Sequence, residues 1–344
     1  MKTINAAIIG CGAIHTCHAG AILQNPASRL QAIAECDVEK GQALAQQYQC
    51  AFYADYAEML RDPHIDVVHI CLPHYLHQEA ILAALAAGKH VFTEKPAVLN
   101  PGEIKAVKKA LSDSGRLLGV CYQNRLNPSS QKIHALLASG ALGKMLSIKA
   151  VLTWSRGGTY YSQSPWRGHF ATEGGSLLIN QAIHTLDLMQ WFGGGVRAIK
   201  GVVDSHFLGE VTENEDTAMA SLILANGARG LFYASNCHST DSPLLLEIHC
   251  ENGLLQLHHN ALWLISGENK TLLVSDHSPA GQGKSYWGDS HRQAINNFTH
   301  SVRSFENRNL EDDNYTSLDE ADISLKMVEA IYRSSQLRQW ITLE

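Results

Sequence analysis

Short apolar runs and longer mixed segments take turns along the first third of the chain. Ile4–Ile9, Leu30–Cys36, Val67–Leu72, His90–Phe92 and Leu117–Val120 are apolar runs of strand length. Between them, Ala13–Gln24, Val38–Tyr48, Leu76–Ala87 and Gly102–Ser114 read as helices. Strands alternating with helices predict a parallel, doubly wound sheet. We assign residues 1–121 to such a Rossmann dinucleotide-binding domain.

After Cys121 the pattern changes. Pro128–Ser139 reads as a helix, Met145–Trp154 as a long strand and Arg156–Gly168 as a loop rich in Gly, Tyr and Ser. Gly175–Phe192 reads as one long helix. Strands dominate from Val196 to Ile265, with hairpin turns at Asn226-Gly227 and Asn252-Gly253. Helices Asp289–Phe305 and Asp319–Gln336 follow. The expected class is α/β: the Rossmann domain, then an α+β domain over residues 122–344 built on a large, mostly antiparallel open sheet.

The carboxyl ends of the parallel strands are where an open α/β sheet binds ligands. At one of them stands Thr93-Glu94-Lys95-Pro96. Lysine followed by proline there continues neither strand nor helix, so the chain must turn, and the Lys95–Pro96 bond is a candidate cis peptide. The Lys95 ammonium is suited to donate to a substrate hydroxyl.

Gly10-Cys11-Gly12-Ala13-Ile14-His15 follows the first strand and opens the first helix. Gly10 and Gly12 permit a tight turn whose backbone, with Ala13 and Ile14, approaches a pyrophosphate at the helix N-terminus. His15 stands where the third glycine of that fingerprint belongs, which weakens the signal. Asp37 lies at the spacing of the acid that meets the adenosine ribose and repels a 2′-phosphate, favouring NAD; it is also an N-cap position before Val38-Glu39-Lys40. Cys71, Gln123 and the segment from Pro73 to His77 lie at the same sheet edge. Pro73 and His77 are read either as a plain turn into a helix or as a wall of the nicotinamide pocket.

A second cluster follows Gly174-Gly175. Asn180, His184 and Asp187 are spaced i, i+4, i+7 and so share one face of a regular helix. An amide, an imidazole and a carboxylate there suggest a site, with Asp187 equally suited to hold the helix in place. In the preceding loop, Tyr160, Tyr161 and Trp166 can cover a sugar's apolar face and Arg167 can grip a carboxylate or phosphate; the rival reading is a lid packing on itself. Gln123-Asn124-Arg125 adds groups able to bind hydroxyls.

Bulk properties exclude several classes. With 45% hydrophobic and 17% charged residues and a formal net charge of −6, the 344-residue chain has no basic patch for nucleic acid or an anionic membrane. Glu311-Asp312-Asp313 reads as a solvated loop. No apolar run approaches the roughly 18 residues of a membrane span, and Met1–Ile9 reads as a strand, not a signal peptide. Eight scattered cysteines without a C-x-x-C pair fit a reduced, cytoplasmic protein. His15-Thr16-Cys17-His18 does not match zinc spacings, so no metal is expected.

The glycine turn, Ala87-Gly88-Lys89-His90-Val91 leading into Glu94-Lys95-Pro96, and the Gly-Gly helix with its histidine resemble the glucose–fructose oxidoreductase / inositol dehydrogenase / MocA family. The resemblance runs from Ile4 nearly to the C-terminus. From Tyr160 to Trp191 it is most similar to the sugar-nucleotide members, the UDP-N-acetylglucosaminuronate 3-dehydrogenases. It implies a Rossmann domain bound to NAD(P) and a C-terminal sheet that makes homodimers or homotetramers. It also implies that Glu94 contacts the nicotinamide ribose region and that Lys95 and His184 flank the reacting alcohol carbon. Lys95 would hydrogen-bond the substrate oxygen, and His184, with an ordinary pKa of about 6.5, would take its proton. Asn180 departs from the aspartate of many polyol dehydrogenases; an amide orients a substrate but relays no proton. The expected activity is therefore NAD-dependent oxidation of a secondary hydroxyl of a sugar, cyclitol or sugar derivative. Two alternatives stay open: a redox-neutral glycosidase or lyase using transient oxidation, and a non-catalytic NAD-dependent sugar sensor.

Overall fold

Apolar strands flanked on both sides by helices bury both their faces, and β1 (Ile4–Ile9) is buried at five of its six positions. In the computed structural model, which describes residues 2–276, 290–307 and 314–343, the chain divides into two units. The first comprises Met1–Gln123 with Ser290–Ala321, and the second Asn124–Asp289 with Asp322–Glu344.

In the first unit β1 is followed by α1 (His15–Gln24), β2 (Ser28–Ala34), α2 (Val38–Tyr48), β3 (Ala51–Tyr53), α3 (Tyr56–Met59), β4 (Val67–Ile70), α4 (His77–Ala86), β5 (His90–Thr93), α5 (Pro101–Ser114) and β6 (Leu118–Val120). The six strands are parallel in the order β3-β2-β1-β4-β5-β6. The order reverses between β1 and β4, which creates the crevice where doubly wound sheets hold ligands. The Lys95–Pro96 peptide is cis.

The second unit holds α6 (Pro128–Ala138), β7 (Met145–Thr153), α7 (Gly158–Ser162), α8 (Phe170–Glu173), α9 (Ile183–Gly193), β8 (Val196–Asp204), β9 (Thr217–Leu224), β10 (Arg229–Ser235), β11 (Leu245–Cys250), β12 (Gly253–His258), β13 (Ala261–Ser266) and β14 (Asn269–Ser275). Then α10 (Ser290–Glu306) returns to the first unit, α11 (Leu318–Leu337) begins there, and β15 (Ile341–Thr342) ends the chain's described elements. The nine-stranded sheet runs β14-β13-β12-β11-β7-β10-β9-β8-β15 and is antiparallel except where β10 meets β7. The open antiparallel sheet expected from the sequence is thus present.

Three differences from the sequence reading are physical. The division at residue 121 gave everything beyond it to the second domain, whereas α10 packs with the first: Asn296 accepts from Asn25 at 2.9 Å, and Glu306 pairs with Arg116 at 3.0 Å. The loop Arg156–Gly168 contains a helical turn, α7. The stretch Gly175–Phe192 is not one α-helix: Leu177–Ala182 winds as a π-helix before α9 begins. Asp289 and Glu311-Asp312-Asp313 lie outside the described residues. No helix among the described residues is long and apolar enough to cross a membrane.

Candidate functional site

In the first unit the glycine turn leans on the end of β4. Gly10 has φ +88°, and a Cβ there would sit 2.9 Å from both the Cys71 carbonyl oxygen and a Leu72 methyl, so only glycine fits. Gly12 is exposed, and a Cβ on it would lie 4.0 Å from the Cys71 carbonyl oxygen, an ordinary contact. The protein thus leaves room over Gly12 and Ala13, as a pyrophosphate at the start of α1 requires.

The two acids after β2 divide their labour. Asp37 is the N-cap of α2, its carboxylate accepting from Lys40 N at 3.1 Å. Glu35, only 9% exposed, reaches back to the glycine turn and accepts from Cys11 N at 3.0 Å, and it also takes Asp37 N and the Lys40 ammonium. Burial pushes the Glu35 carboxyl up, but these donors outweigh it and hold it below the usual range. Glu35 follows β2 two positions before Asp37, and spacing alone does not single it out as the partner of the glycine turn.

Around the Lys95 turn the polar groups are tightly held. Glu94 N donates to Ile70 O at 3.0 Å and the Thr93 hydroxyl to Glu94 O at 3.0 Å. The fully buried His77 ring places Nδ1 2.6 Å from Pro96 O and Nε2 2.8 Å from Leu72 O. Burial lowers the His77 pKa against those carbonyls, which raise it. Both ring nitrogens are engaged within the protein, so His77 ties the strand ends together. The Glu94 carboxylate takes a hydrogen bond from His18 Nε2 at 3.0 Å. Burial alone would raise its pKa; that bond, with His291 and Lys95 nearby, holds it well below the carboxylate range. Cys71 and Gln123 are buried at the same edge, and burial pushes the Cys71 thiol well up, so it stays protonated. Pro73 precedes the 3₁₀ turn His74–Leu76 that leads into α4.

In the second unit His184 lines a cavity with Gln181, Thr185, Asn124, Asn127 and Asp276, walled by Trp154 and leucines. Among the described residues lining it there is no lysine or arginine. Gln181, in the π-helix, lines this cavity with His184. Asn180 is half-buried and donates to Glu173 at 2.6 Å and to Tyr160 Oη at 3.3 Å. Gln181 donates to the same phenol at 2.9 Å, so Tyr160 is fixed against the helix start. Buried Glu215 accepts from Leu178 N at 2.8 Å and from Tyr332 Oη at 2.6 Å, anchoring that start; burial pushes its carboxyl up to about 7.

The structure separates residues that the sequence grouped. Asp187 does not share the His184 cavity: it takes both Nε and Nη2 of Arg125 at 2.8 Å and the Ser324 hydroxyl at 2.9 Å. Arg125 is spent there too, while Asn124 does line the cavity. Arg167 lies 4.3 Å over the Tyr160 ring and 5.4 Å from the Trp166 ring, and donates to Tyr160 O at 3.3 Å. Tyr161 is buried and bonds Ser176 at 2.8 Å. Gln181, Asn127, Trp154 and Asp276 were missed, because nothing local in the sequence says that they converge.

Comparisons with known proteins agree with this architecture. Residues 4–122 match the Gfo/Idh/MocA oxidoreductase family, NAD-binding Rossmann fold, and residues 130–256 match the Gfo/Idh/MocA C-terminal domain. The chain is 29% identical over 235 residues to the uncharacterized oxidoreductase YrbE of Bacillus subtilis, covering 66% of this chain and 65% of that protein, just under two thirds of its length. It is 27% identical over 284 residues to levoglucosan dehydrogenase of Pseudarthrobacter phenanthrenivorans, covering 74% of this chain and 73% of that protein. Among solved structures, the WlbA dehydrogenase from Bordetella pertussis in complex with NADH and UDP-GlcNAcA superposes with a TM-score of 0.86 at 25% identity, over 100% of this chain and 99% of that one. With both family domains matched in order, and with the glycine turn and parallel sheet that an NAD-binding domain requires, the chain belongs to the Gfo/Idh/MocA family of NAD-binding oxidoreductases.

Proposed function

We propose that the protein is an NAD-dependent dehydrogenase that oxidises a secondary hydroxyl of a sugar, cyclitol or sugar derivative. The observation that carries this reading is the His184 cavity: amides, hydroxyls and one carboxylate beside an indole suit a polyhydroxylated ring with an apolar face. NAD, when bound, accepts the hydride released from the alcohol carbon. Lys95 donates a hydrogen bond to the substrate oxygen, and His184 removes its proton. Gln181 and Asn124 hold neighbouring hydroxyls, and Asn180 with Tyr160 shapes the entrance. Incubating the protein with NAD and a panel of polyols, neutral sugars, sugar acids and UDP-sugars tests this: NADH absorbance should rise with at least one member. No NADH with any of them would overturn the reading.

We propose that Glu35, whose carboxylate reaches Cys11 N of the glycine turn, meets the adenosine ribose while Asp37 caps α2. Glu35→Gln is expected to raise the KM for NAD about tenfold, as loss of a charged hydrogen bond does. Asp37→Ala is expected to cost about 1 kcal/mol of stability and leave that KM nearly unchanged. Steady-state kinetics and thermal melts of the two variants distinguish the roles.

We also propose a homo-oligomer formed through the open sheet. Val202, Met219, Tyr233, Val151 and Leu245 lie in register across β8, β9, β10, β7 and β11, with Val202 52% and Met219 48% exposed. A second copy would cover this apolar row. Met219→Asp is expected to shift the protein to monomer in light-scattering chromatography; an unchanged mass rejects the face.

A further inference from the structure

A line of polar groups runs inward from Glu94 and none of them reaches the surface freely: Glu94 is 7%, His18 0% and His69 1% exposed. His18 of α1 places Nε2 3.0 Å from Glu94 Oε1 and Nδ1 3.0 Å from Nδ1 of His69 on β4. Phe92 packs beside both imidazoles, with ring centroids 5.9 and 5.5 Å away. Burying two imidazoles and a carboxylate is costly unless each hydrogen bond is made, so the arrangement of protons is constrained.

The carboxylate only accepts, so His18 Nε2 carries a hydrogen. Burial holds His69 neutral. With one ring hydrogen, on Nε2, His18 offers Nδ1 as an acceptor, and His69 Nδ1–H donates to it. The remaining His69 atom, Nε2, is a bare lone pair, and it is this buried atom that has no hydrogen-bond partner. An imidazolium at His18 would reverse the second bond and leave a buried N–H unsatisfied at His69, the costlier outcome. The pattern fixes both tautomers and points one N–H at Glu94 from behind.

We propose that His18, backed by His69, is a positioning residue that holds the Glu94 carboxylate in the orientation it needs for the nicotinamide ribose. The proposal rests on the reading of Glu94 as a cofactor contact. A glutamine at position 18 keeps an amide N–H near the place of Nε2, facing Glu94; an asparagine keeps one only near Nδ1, facing His69. The test is NADH affinity by fluorescence for His18→Gln, His18→Asn and Glu94→Ala, with KM for NAD, KM for sugar, kcat and cofactor-free melting temperature measured on each. His18→Asn is expected to weaken NADH about tenfold and raise KM for NAD alike, the size of one charged hydrogen bond. The sugar KM and kcat should move far less, and His18→Gln should recover most of the loss. Equal NADH affinities for the Gln and Asn variants, or losses that simply follow the melting temperatures, would overturn the positioning role. If Glu94→Ala binds NADH normally, the underlying cofactor reading fails instead.

Discussion

Lys95→Ala is expected to lower kcat by about two to three orders of magnitude, the loss typical of removing one donor to a developing oxyanion, while NADH still binds. Backbone groups hold the turn at Lys95: Glu94 N donates to Ile70 O, and the Pro96 carbonyl lies 2.6 Å from His77 Nδ1. Truncation therefore removes the ammonium and leaves the turn. A hydrogen bond from an ammonium strengthens as the alcohol oxygen gains charge, so the loss should fall on kcat and kcat/KM together. His184→Ala should fall in the same range, about 10²- to 10⁴-fold for a general base. Its neighbours Gln181 and Thr185 keep the cavity lined, so substrate binding should persist. Stopped-flow NADH formation and NADH titration on the same variants check both halves. Undiminished turnover in Lys95→Ala removes the residue from the mechanism.

Asp187→Ala is expected to destabilise the protein by about 3–5 kcal/mol, the cost of leaving one partner of a buried ion pair uncompensated. Asp187 is 1% exposed and Arg125 5%, and the pair is bidentate, with Ser324 and Gln190 donating to the same carboxylate. Removing the carboxylate strands a buried guanidinium against the Trp191 ring, 5.5 Å away. The melting temperature should fall on the order of 10 °C. Asp187→Asn, which keeps one acceptor, should fall less. A melting temperature equal to wild type would show that the pair is not a support of α9, the helix that carries His184.

The parallel sheet was legible because its strands are mostly apolar and bounded by Gly, Pro or Asp, and the turn at Glu94-Lys95-Pro96 because proline forbids continuation. The large antiparallel sheet was legible from its alternation and its Asn-Gly turns, although the turn at His259-Asn260, where both φ are positive, gave no such signal. Long-range partnerships were not legible. His18 and Glu94 are 76 positions apart and meet only once α1 lies beside β5, and α10 returns to the first unit after more than a hundred residues of the second. The π-helix was hidden by Leu177-Leu178-Ile179, an apolar run that reads the same in either winding. Nor did the sequence show that Asp187 pairs with Arg125, 62 positions away. At β2 the spacing rule singled out Asp37, and the reach of Glu35 back to Cys11 N was not legible, because a count of positions does not give the direction of a carboxylate.

The central claim is net transfer of hydride from a sugar carbon to nicotinamide. Its most direct measurement uses a responsive substrate deuterated at the oxidised carbon, followed by mass spectrometry of cofactor and product. The account predicts one equivalent of singly deuterated NADH and a keto product that has lost the label. Product that retains its deuterium, with bond cleavage and no NADH accumulating, would contradict it and establish redox-neutral chemistry in its place.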